Sequence, residues 1–160
     1  MRQALTGVAI ALALLCRTAS ADTAGVTLDG LVEHPLNLSE ADLAALPATE
    51  LDTSFQTGRG PETAHYKGAL LWLLVEKAGL SVEPGNKRNS LRHYLLVTGR
   101  DGYAVAISVG ELDPDFEGKQ VIVAYARDGK PLDANEVRLI VPGDRHGGRA
   151  VRDVIHVEVK

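Results

Sequence analysis

The apolar residues of this chain fall into runs of two periodicities, separated by turn signals. The stretch "GALLWLLVEKAGL" is apolar nearly all round through Leu70, Leu71, Trp72, Leu73, Leu74 and Val75. It predicts a helix buried on most sides and central to the core, ended by Gly79, which suits a left-handed cap. "NLSEADLAALP" predicts a shorter helix, because Ser39 and Asp42 have the capping-box spacing and Pro47 follows.

The remaining pattern is that of strands. "GVTLDGLV" predicts an early strand turning at Asp29-Gly30, "TELDTSF" another, and "QTGRGPETAH" a loop. "RHYLLVTG" and "GYAVAIS" flank a turn at Arg100-Asp101-Gly102, and "EPGNKRNS" is an exposed, polar turn. "QVIVAYARDGKPL" is a β-branched run leading into Asp128-Gly129, a pair suited to a hairpin turn. "EVRLIVPGD" and "RDVIHVEV" close the chain, the latter setting Val154, His156 and Glu158 against Ile155, Val157 and Val159. Strands with two or three interposed helices predict an α+β fold with antiparallel or mixed β-sheets. No repeat or long linker divides the chain.

The first residues change the picture of where the protein works. Met1-Arg2, an apolar run from Leu5 to Leu15 and Ala19-Ser20-Ala21 have the order of a secretory signal peptide. Residues 1–21 are therefore expected to be removed, leaving 22–160 as a single exported domain, periplasmic or secreted. The apolar run is too short for a membrane span, so no integral membrane segment is expected after cleavage. Of 17 cations, Arg2 and Arg17 leave with the signal, so 15 face 21 anions. That balance excludes nucleic acid as a general partner. The single cysteine, Cys16, leaves too, and the mature chain has neither disulfide nor thiolate.

Against that acidic background, "VPGDRHGGRAVRDV" gathers Arg145, His146, Arg149 and Arg152 around Gly147-Gly148. Glycine exposes backbone donors and a guanidinium presents a planar fork, a combination suited to phosphate oxygens. Asp144 and Asp153 flank the cluster and are equally placed to neutralise two of the arginines at the surface. The histidines show no metal-binding spacing, and no Ser/His/Asp arrangement has local support.

The order "YKGALLWLLVEKAGL", "DGYAVAISVGEL", "VIVAYARDGKPL" and "VRLIVPGDRHGGRAVRDVIHVEV" resembles the molybdopterin-binding domain of the sulfite oxidase family. The resemblance runs from about Val26 to Lys160 and implies that family's fold, mixed β-sheets with a few short helices. It implies that Gly147, Gly148, Arg149 and Arg152 face the pterin and its phosphate. It also implies that Arg59 and His65, read as loop residues, line the cleft, with Arg59 and Arg149 converging on an anion.

Two departures alter the implied function. Where the family's catalytic cysteine falls, this chain has Ser54, Phe55, Gln56 and Thr57, and none supplies a thiolate to a metal. The leader has a single Arg2 rather than the arginine pair of exported members that travel folded with cofactor. The expectation is an exported, non-catalytic domain that binds a small anionic ligand or an exported protein partner. It needs no cofactor, with molybdopterin the possible exception and no protein ligand for a metal. The alternative is an atypical molybdopterin-dependent oxidoreductase without a cysteine ligand.

Overall fold

The structure, a computed structural model, describes residues 25–81, 87–133 and 136–160. The expected signal peptide and residues 83–86 of the "EPGNKRNS" turn lie outside the described residues. The elements are β1 (Val26–Gly30), β2 (Leu36–Leu38), α1 (Glu40–Ala44), β3 (Ala48–Thr57), β4 (Gly60–Leu70) and α2 (Leu71–Ala78). Then follow β5 (Tyr94–Gly99), β6 (Ala104–Ser108), α3 (Val109–Leu112), β7 (Ile122–Arg127), β8 (Lys130–Pro131), β9 (Arg138–Ile140) and β10 (Val154–Val159). Short 3-10 segments occupy Lys87–Arg92 and Gly147–Arg149.

They build two five-stranded sheets, as the α+β reading requires. One runs β2-β1-β10-β5-β6; the other runs β3-β4-β7-β8, with β9 also on β7. All pairings are antiparallel except β1 with β10, which makes the first sheet mixed. The α1 cap forms as read: Asp42 Oδ2 accepts from the Ser39 backbone N–H at 2.9 Å, and Ser39 Oγ accepts from the Asp42 N–H at 3.2 Å. The β7–β8 turn places Asp128 and Gly129 at φ 50 and 75, the two positive dihedrals that a tight two-residue hairpin demands.

Three expectations are corrected. Gly68, Ala69 and Leu70 belong to β4 rather than to the helix, and α2 begins only at Leu71. Gly68 permits β7 to pass so closely that a β-carbon there would fall 2.3 Å from the Val123 carbonyl oxygen. In α2 itself Leu71, Leu74, Val75 and Ala78 are buried while Trp72 and Leu73 are half-buried, so its burial is one-sided.

The larger correction is at "QTGRGPETAH". Most of it is strand, paired in unbroken register from Ala48↔Ala69 to Thr57↔Gly60, with only Gly58-Arg59 left as the turn. Proline tolerates this position near the start of a strand, and Gly60 takes φ 110 to close the turn. His65 is therefore a strand residue. The third correction is in β10, where a bulge between Val154 and His156 swings Val154 to the buried side with Val157 and Val159.

Burial of β7 on both faces organises the interior. Val123 and Tyr125 join the main core with α1, α2 and the first sheet. Ile122 and Ala124 turn the other way, onto Ala64, Tyr66 and Ile140. Arg138 shares that second face with Ile140, two residues along β9. This is where the chemistry collects.

Candidate functional site

The β3–β4 hairpin tip is held shut by Thr57, whose hydroxyl donates to the Gly60 carbonyl at 2.8 Å and accepts from the Arg59 N–H at 3.1 Å. The tip docks on the 145–149 segment: the Gln56 N–H donates to the Arg145 carbonyl at 2.9 Å, and Gln56 bridges His146 in parallel. Gly147 sits against the Phe55 ring, while nothing lies within 4 Å of a β-carbon at Gly148. The Tyr103 hydroxyl donates to the Gly148 carbonyl at 2.7 Å and fixes the far side of the turn.

Between tip and segment lies a cavity of about 560 Å³, lined by Gln56, Thr57, Gly58, Arg138, His146, Gly147, Gly148, Ala150 and Arg152. Two guanidiniums line it, and no carboxylate does among the described residues. Arg138 is its buried member, with only 7% of its side chain exposed. Its Nη1 donates to Glu62 Oε1 at 2.9 Å and to the Tyr66 hydroxyl at 2.7 Å. Its Nε, also buried, has no hydrogen-bond partner. Such a donor is costly to leave unmet, by about 1–3 kcal/mol.

Glu62 is the acid behind this wall. Arg127 lies 3.3 Å from it and Arg152 4.0 Å, so one carboxylate faces three guanidiniums. Burial works against the charged carboxylate. The Tyr66 hydroxyl and the Arg138 guanidinium outweigh it and hold the Glu62 pKa below its ordinary value. Burial, then the bond to Glu62, pushes the Tyr66 phenol up to about 12.

Of the residues singled out from sequence, Gly147, Gly148 and Arg152 meet at this cavity. Arg149, Arg59 and His65 do not line it. Arg149 is turned to Asp144, with bonds of 2.9 and 2.6 Å, and to Glu111 at 3.0 Å. It ties the segment to α3, and these carboxylates, Asp144 first, raise its pKa further. The flanking-acid reading therefore holds for Asp144, whereas Asp153 pairs with Arg100 rather than with a cluster arginine. Arg59 is exposed at the hairpin turn and shares no wall of this cavity with Arg149. His65 lies on the outer face of the sheet, between Asp52 at 2.8 Å and Glu50 at 3.3 Å.

Sequence reasoning missed Arg138 and Glu62. A signal existed: Arg138 interrupts the apolar run Val137–Val141, and a charge inside a buried strand marks a site or a paired network.

Neither hydroxyl at the expected cysteine position is spare. Thr57 closes the turn, and Ser54 Oγ accepts from Thr63 at 3.0 Å on the outer face. No group of three or more His, Cys, Asp or Glu able to hold a metal occurs among the described residues.

The two sheets, the short helices and the glycine-basic segment beside a cation-lined cavity define the class. Residues 16–160 match the model of the oxidoreductase molybdopterin binding domain, and the chain belongs to that family. It is 30% identical over 105 residues to YuiH, an uncharacterised oxidoreductase of Bacillus subtilis (strain 168). That alignment covers 64% of this chain and 47% of the relative. It also matches the sulfane dehydrogenase SoxCD of Paracoccus pantotrophus with a TM-score of 0.67 and 21% identity. That match covers 84% of this chain and 37% of the SoxCD chain, and it shows the fold. The chain spans less than half the length of either.

Proposed function

We propose that this chain is a non-catalytic, exported binding domain that takes a small phosphate-bearing anion in the cavity between the hairpin tip and residues 146–152. One observation carries the reading: Arg138, buried with an unmet Nε, lines this cavity beside Arg152, and among the described residues no carboxylate lines it. A dry, preorganised guanidinium is worth more to an anion than one in water. Gly148 adds open backbone, and His146 a third basic side chain.

The residues present fit the anionic part of a molybdopterin. Arg138, Arg152 and the 147–148 backbone would hold it, and the bound group would supply redox chemistry through its metal. They do not fit the protein side of the metal centre, because Gln56 and Thr57 stand at the cavity with no thiolate. The alternative, an atypical molybdopterin oxidoreductase, draws support from the family and from the printed description of the Bacillus relative.

Protein purified without refolding, from a host competent to make the cofactor, decides between them. Molybdenum is measured by mass spectrometry, pterin by fluorescence, and phosphate binding by calorimetry on wild type and Arg152→Ala. Phosphate affinity that falls in Arg152→Ala, with no molybdenum, is the expected result. Stoichiometric molybdenum would establish the oxidoreductase reading instead. Absence of phosphate binding would remove the anion pocket.

A further inference from the structure

Arg138 and Arg152 line a second cavity as well, of about 480 Å³, on the side of the β7–β8 hairpin. Its other walls are Arg127, Asp128, Lys130, Pro131, Leu132, Asp133 and Glu136. Its chemistry differs from that of the first: there no carboxylate is present, whereas here Asp128, Asp133 and Glu136 stand among the cations. Asp128 is committed, accepting from the His65 backbone N–H at 2.9 Å and from Arg127 Nε at 3.2 Å. Asp133 and Glu136 take no side-chain hydrogen bond or ion pair among the described residues, and they remain as acceptors.

We propose that this second cavity is a sugar subsite, and that the ligand is a phosphorylated polyol lying across Arg138 and Arg152. The inference rests on the anion reading above and extends it. Arg127 and Lys130 also stand in this wall, but a second phosphate gains nothing from Asp133 and Glu136. Hydroxyl groups do gain, because a carboxylate is a strong acceptor for an O–H donor. The phosphate lies against the shared guanidiniums, where the buried Arg138 Nε lacks a partner. The sugar hydroxyls donate to Asp133 and Glu136, and Pro131 and Leu132 give the ring an apolar floor. The volume is adequate for a pentose, since ligand cavities run about 300–1,000 Å³.

Calorimetry on the full chain with inorganic phosphate and ribose 5-phosphate tests this. Hydrogen bonds to charged groups predict that ribose 5-phosphate binds about tenfold more tightly than phosphate. In the double variant Asp133→Ala/Glu136→Ala, the ratio of the two affinities should fall to about one while phosphate still binds. Equal affinities in the wild type, or a ratio that survives in the double variant, would overturn the sugar subsite and leave the phosphate pocket standing. No binding of either probe would overturn the pocket itself. Adenosine 5′-monophosphate in a third arm separates the sources. A further gain over ribose 5-phosphate assigns a nucleotide, and no gain assigns a free sugar phosphate.

Discussion

The Phe55 ring occupies the space into which a side chain at Gly147 would project: a β-carbon there falls 2.9 Å from both Cδ2 and Cε2 of the ring. Phe55 is itself buried at the hairpin end, with Arg138 5.8 Å above its ring. Glycine at 147 is therefore a packing requirement that sets the spacing between tip and segment, and so the width of the cavity. Gly147→Ala should displace the ring and cost about 1–3 kcal/mol, the usual range for overpacking. Urea unfolding reads the loss, and phosphate affinity should fall with it. Gly148→Ala, with open space around the added carbon, should leave stability near wild type.

Arg149 illustrates how an arginine in a basic motif can serve the scaffold. Its fork holds Asp144, its third donor holds Glu111, and Glu111 is in turn bonded to Lys119 at 3.4 Å. With 31% of its side chain exposed, solvent screens part of this network. Arg149→Ala should cost about 1–2 kcal/mol of stability after that discount and leave phosphate affinity unchanged. Thermal unfolding beside calorimetry separates the two effects. A folded variant that lost phosphate binding would return Arg149 to the pocket.

The α1 cap, the Asp128-Gly129 turn and the α+β class were legible because each depends on residues close in sequence. The hairpin was not, although Glu62, Ala64 and Tyr66 alternate with Thr63, His65 and Lys67 at period two. Gly58, Gly60 and Pro61 mask that alternation as a loop, and only pairing with β3 reveals the strand. Within the basic segment the types were readable but the directions were not. Arg149 and Arg152 lie three residues apart, yet Arg149, at the end of the 3-10 turn, reaches Glu111 of α3 and Arg152, beyond the turn, lines the cavity. Arg138 comes from β9 and Glu62 and Tyr66 from β4, and the convergence of the two strands is a property of register rather than of local sequence.

Glu62 answers three guanidiniums, and removing it leaves the buried Arg138 with only the Tyr66 hydroxyl. Breaking a buried pair on one side costs about 3–5 kcal/mol. Glu62→Ala should sit near the lower end, about 3 kcal/mol, because Arg127 and Arg152 are partly solvated and readily turn to water. Phosphate should recover part of that loss by replacing the missing charge, so the melting temperature of Glu62→Ala should rise more with added phosphate than that of wild type. An equal rise in both proteins would show that the anion does not meet these arginines.

The outer face of the hairpin carries a ladder of cross-strand pairs: Glu50 with Lys67 at 3.2 Å, Asp52 with His65 at 2.8 Å, and Ser54 with Thr63 at 3.0 Å. Asp52, then Glu50, favours the charged imidazole and raises the His65 pKa above 6.5, against an opposing effect of burial. Lys67 first, then His65, lowers the Glu50 pKa below 4.5. A raised histidine contributes stability that is fully present below its unfolded pKa and is lost as pH rises through the folded one. A lowered carboxylate contributes stability present above its unfolded pKa and lost as pH falls through the folded one. The ladder should therefore support the hairpin best between about pH 4.5 and 6.5, the two ordinary values. Its pairs are solvent-exposed, so the effect is small. Histidine titration by NMR should place His65 above 6.5, and Asp52→Asn should lower it. The melting-temperature difference between wild type and Asp52→Asn should be greatest near pH 6 and close as pH rises past the His65 value. A difference that grew with rising pH would show that His65 is not held in its charged form by Asp52.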